Sequence, residues 1–104
     1  MRESDAALID EFIDALWLAD GLSKNTLASY RSDLALFANF LATRDESLVG
    51  AGETAINAYL AHLHARPEGI KSTSQRRLMA TLRRCYRWLL DQGRLQADPL
   101  LNID

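Results

Sequence analysis

The sequence predicts an all-α domain, four helices packed as a compact bundle. Three observations predict it. Prolines occur only at 67 and 99 and glycines only at 21, 50, 52, 69 and 93, so the punctuating residues cut the chain into four helix-length pieces. Within those pieces apolar residues recur at three- and four-residue spacing, as on one face of a helix. No alternating apolar and polar run of strand type stands out. At 104 residues the chain is one domain, long enough to bury a core.

The first helix is expected over about residues 5–19. Leu8, Ile9, Phe12, Ile13 and Leu16 form its buried stripe, Asp10, Glu11 and Asp14 lie mostly off it, and Gly21 supplies the stop. The second begins after Ser23, whose hydroxyl can accept a bond from a free backbone N–H one turn in. Leu27, Tyr30, Leu34, Phe37 and Leu41 make its apolar face, with Leu36 and Phe40 widening it. It should end near Thr43, leaving RDESLVGAG as a loop. The third helix, about 53–65, has Ile56, Tyr59, Leu60 and Leu63 as its core face. Arg66-Pro67-Glu68-Gly69 ends it, because proline disfavours helix in the residue before it and glycine permits a turn. The fourth starts near Ser72 or Thr73 and stops before Gly93. Leu78, Met79, Leu82, Cys85, Tyr86 and Leu89 are its apolar face. GRLQADPLLNID is expected to leave in extended form, as the start of a linker.

Hydrophobic residues make up 48% of the chain and charged residues 25%, ordinary values for a soluble globular protein. Apolar runs are far short of a membrane span, and the opening MRESDAALIDEF is acidic rather than signal-like, so a cytoplasmic location is expected. Cys85 is the only cysteine, which excludes an internal disulfide and a cysteine-based zinc site. His62 and His64 lie two apart, on different helix faces, and do not suit a shared metal. No Gly-rich phosphate loop or metal-binding helix motif is present. Trp17, Trp88 and the three tyrosines fit packing or interface roles better than chemistry.

The net charge of −2 hides an asymmetry. Residues 1–65 carry 4 basic and 10 acidic side chains, a net of −6, whereas residues 66–94 carry 8 basic and 2 acidic, a net of +6. Five arginines, Arg76, Arg77, Arg83, Arg84 and Arg87, fall in SQRRLMATLRRCYRW. A helix turns about 100° per residue, so with Arg76 at zero the other four lie within an arc of roughly 120° that also holds Thr73 and Ala80. The apolar residues occupy the arc from about 180° to about 300°. A solvated face usually mixes signs, and here only Asp91 could pair, with Arg87. Arginine is favoured where a planar fork meets phosphate or a base edge. The start of the second helix adds Lys24, Asn25 and Thr26 beside free backbone N–H groups, a combination that suits a phosphate oxygen, and Arg31 shares the side of Lys24. Lys71, Ser72 and Thr73 repeat the arrangement at the start of the fourth helix. Beside a plain solvated surface face, the residues alone leave two functional readings open. One is duplex DNA binding; the other is a helical interaction module that docks an acidic partner through the arginine ridge.

FIDALWLADGLSKNTLASYRSDLALF resembles the opening helices of the N-terminal, core-binding domain of the tyrosine recombinase and phage integrase family. Asn25-Thr26, Tyr30-Arg31 and Asp33-Leu34 match its N-T-x-x-x-Y-R-x-D-L pattern. Residues 71–90 are similar to its fourth helix, with Arg77, Arg83 and Arg84 at basic positions, and the closing Ala-Asp-Pro matches the point where the linker leaves. Ala80-Thr81 departs from the Ser-Ala commonly found there, so a hydroxyl contact at position 80 is missing. The resemblance implies a SAM-like bundle of two helical hairpins over 1–95, with 96–104 starting a linker to a separate catalytic domain. It implies a grip on one face of double-stranded DNA, with a sister or paralogous recombinase as partner in the full-length assembly. It also implies no added cofactor, since strand exchange in the family runs through a covalent phosphotyrosine. No residues match that catalytic constellation, and Tyr30, Tyr59 and Tyr86 lie on expected core faces, so this stretch alone is not expected to be an enzyme. Neither a membrane nor a small-molecule ligand is expected.

Overall fold

The computed structural model describes residues 1–103. Among them are four helices and no strand: α1 (Glu3–Asp20), α2 (Lys24–Thr43), α3 (Glu53–His64) and α4 (Ser72–Asp91). The chain divides into two compact units, Met1–Leu48 and a second beginning at Val49.

In the first unit α1 and α2 pack against each other as a hairpin. Gly21, at φ 59, takes the left-handed conformation that ends α1, and Ser23 caps α2 by accepting the Thr26 N–H at 3.2 Å. Helix α1 begins two residues earlier than the spacing suggests. Glu3 and Asp5 then fall in its first turn, where carboxylates favour the exposed N–H groups. The expected α1 stripe and the five principal α2 positions are all buried. Leu36 is not: it is 58% exposed. It lies about 200° around the helix from Leu34, and Ala38 and Asp33 are buried in its place. Trp17 is likewise 49% exposed, because it sits about 100° from Leu16, beyond the edge of the stripe.

Helix α2 ends in a Schellman motif. Asp45 N–H bonds Ala42 O at 3.1 Å and Glu46 N–H bonds Leu41 O at 2.9 Å, which puts Asp45 itself at φ 57. The loop that follows is anchored. Leu48 is fully buried, and its backbone N–H donates to Asp5 Oδ1 at 3.1 Å. Burying such a side chain contributes about 1.5–3 kcal/mol, enough to offset the ~1–2 kcal/mol for fixing one loop residue.

In the second unit α3 buries Ala55, Ile56, Tyr59 and Leu63, while Leu60 is only half-buried. The connection to α4 turns at Gly69 (φ 62), whose N–H bonds Arg66 O at 2.8 Å. Helix α4 buries every apolar position expected of it, together with Thr81. The segment after Gly93 does not run out extended. Asp98 Oδ1 accepts the Leu100 N–H at 2.9 Å, Leu101 and Ile103 N–H bond the carbonyls of Asp98 and Leu100, and Leu100 is buried. An aspartate before proline readily makes such a turn, and burial of one leucine of the Leu-Leu pair rewards it.

Candidate nucleic-acid interface

Helix α4 separates two surfaces. Leu78, Met79, Leu82, Cys85, Tyr86 and Leu89 are buried, and Arg76, Arg77, Arg83, Arg84 and Arg87 are all exposed on the other side. Among the described residues no carboxylate pairs with Arg76, Arg83 or Arg87, and the available Asp91 leaves Arg87 alone. Repulsion among these three arginines is therefore relieved by solvent, and a polyanion would relieve it further. Thr81 is turned inward, its hydroxyl donating to the Arg77 carbonyl at 2.9 Å. It does not replace the hydroxyl missing at position 80.

At the start of α4 the N-cap is Lys71, which makes no side-chain capping bond. Lys71, Ser72 and Thr73 are exposed there. The start of α2 differs because Ser23 already uses the Thr26 N–H, and the Ser23 hydroxyl also donates to Thr26 Oγ1 at 3.0 Å. Thr26 is thus engaged locally and half-buried, whereas Lys24 and Asn25 are exposed. Arg31, on the same side of α2, forms an ion pair with Asp10 of α1. Sequence spacing carried no sign of that pairing, because the partner lies on a neighbouring helix.

Past its last turn α4 closes with a second Schellman motif. Gly93, at φ 70, donates to Leu90 O at 3.0 Å, and Arg94 N–H bonds Leu89 O at 2.9 Å. The Arg94 guanidinium then lies over the Trp88 ring, 5.6 Å from its centroid. The Gln-Gly-Arg ending was the available signal for this arrangement.

Burial pushes the Cys85 thiol up from 9.0 to about 12, with the Arg94 charge acting in the opposite direction. It is packing material and not a nucleophile. Tyr30, Tyr59 and Tyr86 are buried as well.

Residues 9–93 match the family model described as phage integrase, N-terminal SAM-like domain. The tyrosine recombinase XerD of Pseudomonas putida is 46% identical over 105 residues, covering all of this chain and 34% of that protein. XerD of Pseudomonas aeruginosa is 45% identical over 105 residues, with the same coverage. XerD of Shewanella oneidensis is 39% identical over 97 residues, covering 93% of this chain and 32% of that protein. The chain spans about a third of the length of these curated relatives.

Proposed function

The chain belongs to the phage integrase N-terminal SAM-like domain family, and from that membership we propose that it grips duplex DNA for a site-specific tyrosine recombinase. The observation that carries the reading is the α4 surface: five exposed arginines on one arc, backed by a fully buried apolar face. Phosphate contacts from such a ridge position a protein on DNA, and the guanidinium fork matches phosphate geometry better than an ammonium does. Arg77, Arg83 and Arg84, at the family's basic positions, are the principal contacts, and Arg76 and Arg87 join them on helix geometry alone. Lys71, Ser72 and Thr73 offer phosphate contacts at the start of α4. Lys24, Asn25 and Thr26 do so at the start of α2, with Arg31 following on the same side. Thr26 contributes through its backbone surroundings rather than through a free N–H.

The parent protein, on this reading, is a tyrosine recombinase of the XerD kind, acting in chromosome dimer resolution or DNA integration in the cytoplasm. This stretch supplies the grip, and residues beyond 96 lead toward a catalytic domain that closes the clamp. The stretch itself performs no chemistry and takes no cofactor. Its macromolecular partners are double-stranded DNA and a second recombinase, either a sister copy or an XerC-like paralogue.

Replacing Arg77 or Arg84 by alanine should weaken duplex binding in a gel-shift titration, with thermal unfolding verifying that each variant is folded. Unchanged affinity in both variants would move the contact off α4. A module that docks an acidic protein through the same ridge would show little affinity for any duplex in that assay.

A further inference from the structure

We infer that Ala80, at the centre of the arginine face of α4, is a base-reading residue: its short side chain lets the helix sit close in the major groove, with its methyl against the 5-methyl of a thymine. The inference rests on the DNA reading above and goes beyond it, because phosphate contacts position a chain without carrying sequence information. The observation behind it is a square of side chains. Arg76 and Arg77 stand four and three residues before Ala80, and Arg83 and Arg84 three and four after it. These are the four positions that neighbour a residue on a helix surface. Measured from Ala80, Arg76 and Arg83 fall about 40° and 60° to one side, and Arg84 and Arg77 about 40° and 60° to the other. All four are exposed, and Ala80 between them is half-buried. The face therefore has a hollow at its centre, walled by long side chains and floored by one methyl. Arg77 and Arg84 are also engaged within the chain, and the hollow depends only on their bearing.

The dimensions of this face match a groove. A helix with its side chains is about 10–12 Å across, and the major groove is about 12 Å wide. Side chains set about 40–60° to either side of the midline reach toward the two phosphate walls, while the midline faces the base edges. Ala80 occupies that midline. Its side chain has no donor or acceptor, so it makes no phosphate bond and reads no polar base edge. What a methyl can meet there is the one apolar group of the major groove, the thymine 5-methyl. A longer residue at 80 would hold the helix off the bases and leave the phosphate contacts alone. Alanine is also the strongest helix former, so the informative variants are those that keep the helix.

The experiment lets the chain select duplexes from a pool with a randomised core, then measures fluorescence anisotropy with the selected duplex and a scrambled one between about 50 and 200 mM salt. Uracil in place of one particular thymine deletes only the methyl and should weaken wild-type binding by about fourfold. Ala80→Gly should bind the thymine and uracil duplexes alike. Ala80→Leu, with nearly the same helix propensity, should lose about tenfold on the selected duplex and less than about twofold on the scrambled one. Asn57→Leu, on the exposed side of α3, should bind as wild type does. Urea unfolding verifies that each variant is folded. Ala80→Leu with wild-type affinity, or with equal losses on both duplexes, overturns the inference. So does a uracil effect at no thymine, or one that persists in Ala80→Gly. A selection that enriches no base overturns it too, and leaves the DNA reading standing where affinity still falls with salt. A wild-type chain with no salt-dependent duplex affinity overturns the DNA reading itself.

Discussion

Arg31 of α2 is held in an ion pair by Asp10 of α1, on the outer surface of the first unit. Both side chains are substantially exposed, so the pair contributes little to stability. Its importance is electrostatic: Asp10 cancels a positive charge that the proposed interface uses. Asp10→Asn should therefore raise duplex affinity and steepen its salt dependence, while unfolding free energy changes by less than about 1 kcal/mol. Anisotropy and urea titrations measure the two. Unaltered affinity would place Arg31 outside the contact.

Asp5 is a second carboxylate whose partner is distant in sequence. It is buried, Oδ1 accepts the Leu48 N–H, and Oδ2 has no hydrogen-bond partner. Asp5→Ala should destabilise the chain by about 1–3 kcal/mol, because the buried bond from the Leu48 N–H to the Asp5 carboxylate is lost. Chemical denaturation measures this directly. A neutral result would mean that the unsatisfied Oδ2 already offsets the bond.

These two aspartates mark the boundary of what was legible in the sequence. The four helices were legible because their buried faces recur at helical spacing and their ends carry Gly21, Ser23, Pro67 and Gly93. Leu36 was misplaced because widening an apolar stripe by residue type ignores bearing: it lies on the far side of α2 from Leu34. The tail was misread because Asp98 supplies a local acceptor for Leu100 that an extended chain would forgo. In the candidate site the arginine arc followed from one helix turning about 100° per residue. The Asp10 and Arg94 contacts did not follow, since the first depends on packing between helices and the second on a left-handed turn beyond the helix.

Asp45 holds the left-handed position that glycine usually fills at a helix end, at φ 57. Left-handed backbone costs a residue with a side chain roughly 1 kcal/mol, somewhat less for aspartate. Its pairing with Arg2 at 2.6 Å involves an almost fully exposed carboxylate and returns little. Asp45→Gly should consequently raise the thermal midpoint, by an amount equivalent to a few tenths of a kcal/mol. A fall in the midpoint would show that the Arg2 pair outweighs the backbone strain.

Cys85 should resist modification. With its thiol pushed up to about 12 by burial, the folded chain should react negligibly with a thiol reagent at pH 8 and promptly in urea. The raised value also has a sign. The fold favours the neutral thiol, so this contribution is fully present below pH 9.0 and is lost as pH rises from 9.0 toward 12. Cys85→Ala should remove that part of the alkaline decline, as followed by circular dichroism. Fast labelling of the native chain would contradict the packing.

The central claim, that the α4 arginine face neutralises DNA phosphates, is tested most directly by the salt dependence of duplex affinity. Neutralising four to six phosphates predicts a slope of log affinity against log salt of about −4 to −5. Arg83→Ala should make that slope shallower by about 1. A flat dependence, or one that Arg83→Ala leaves unmoved along with the affinity, would contradict the claim.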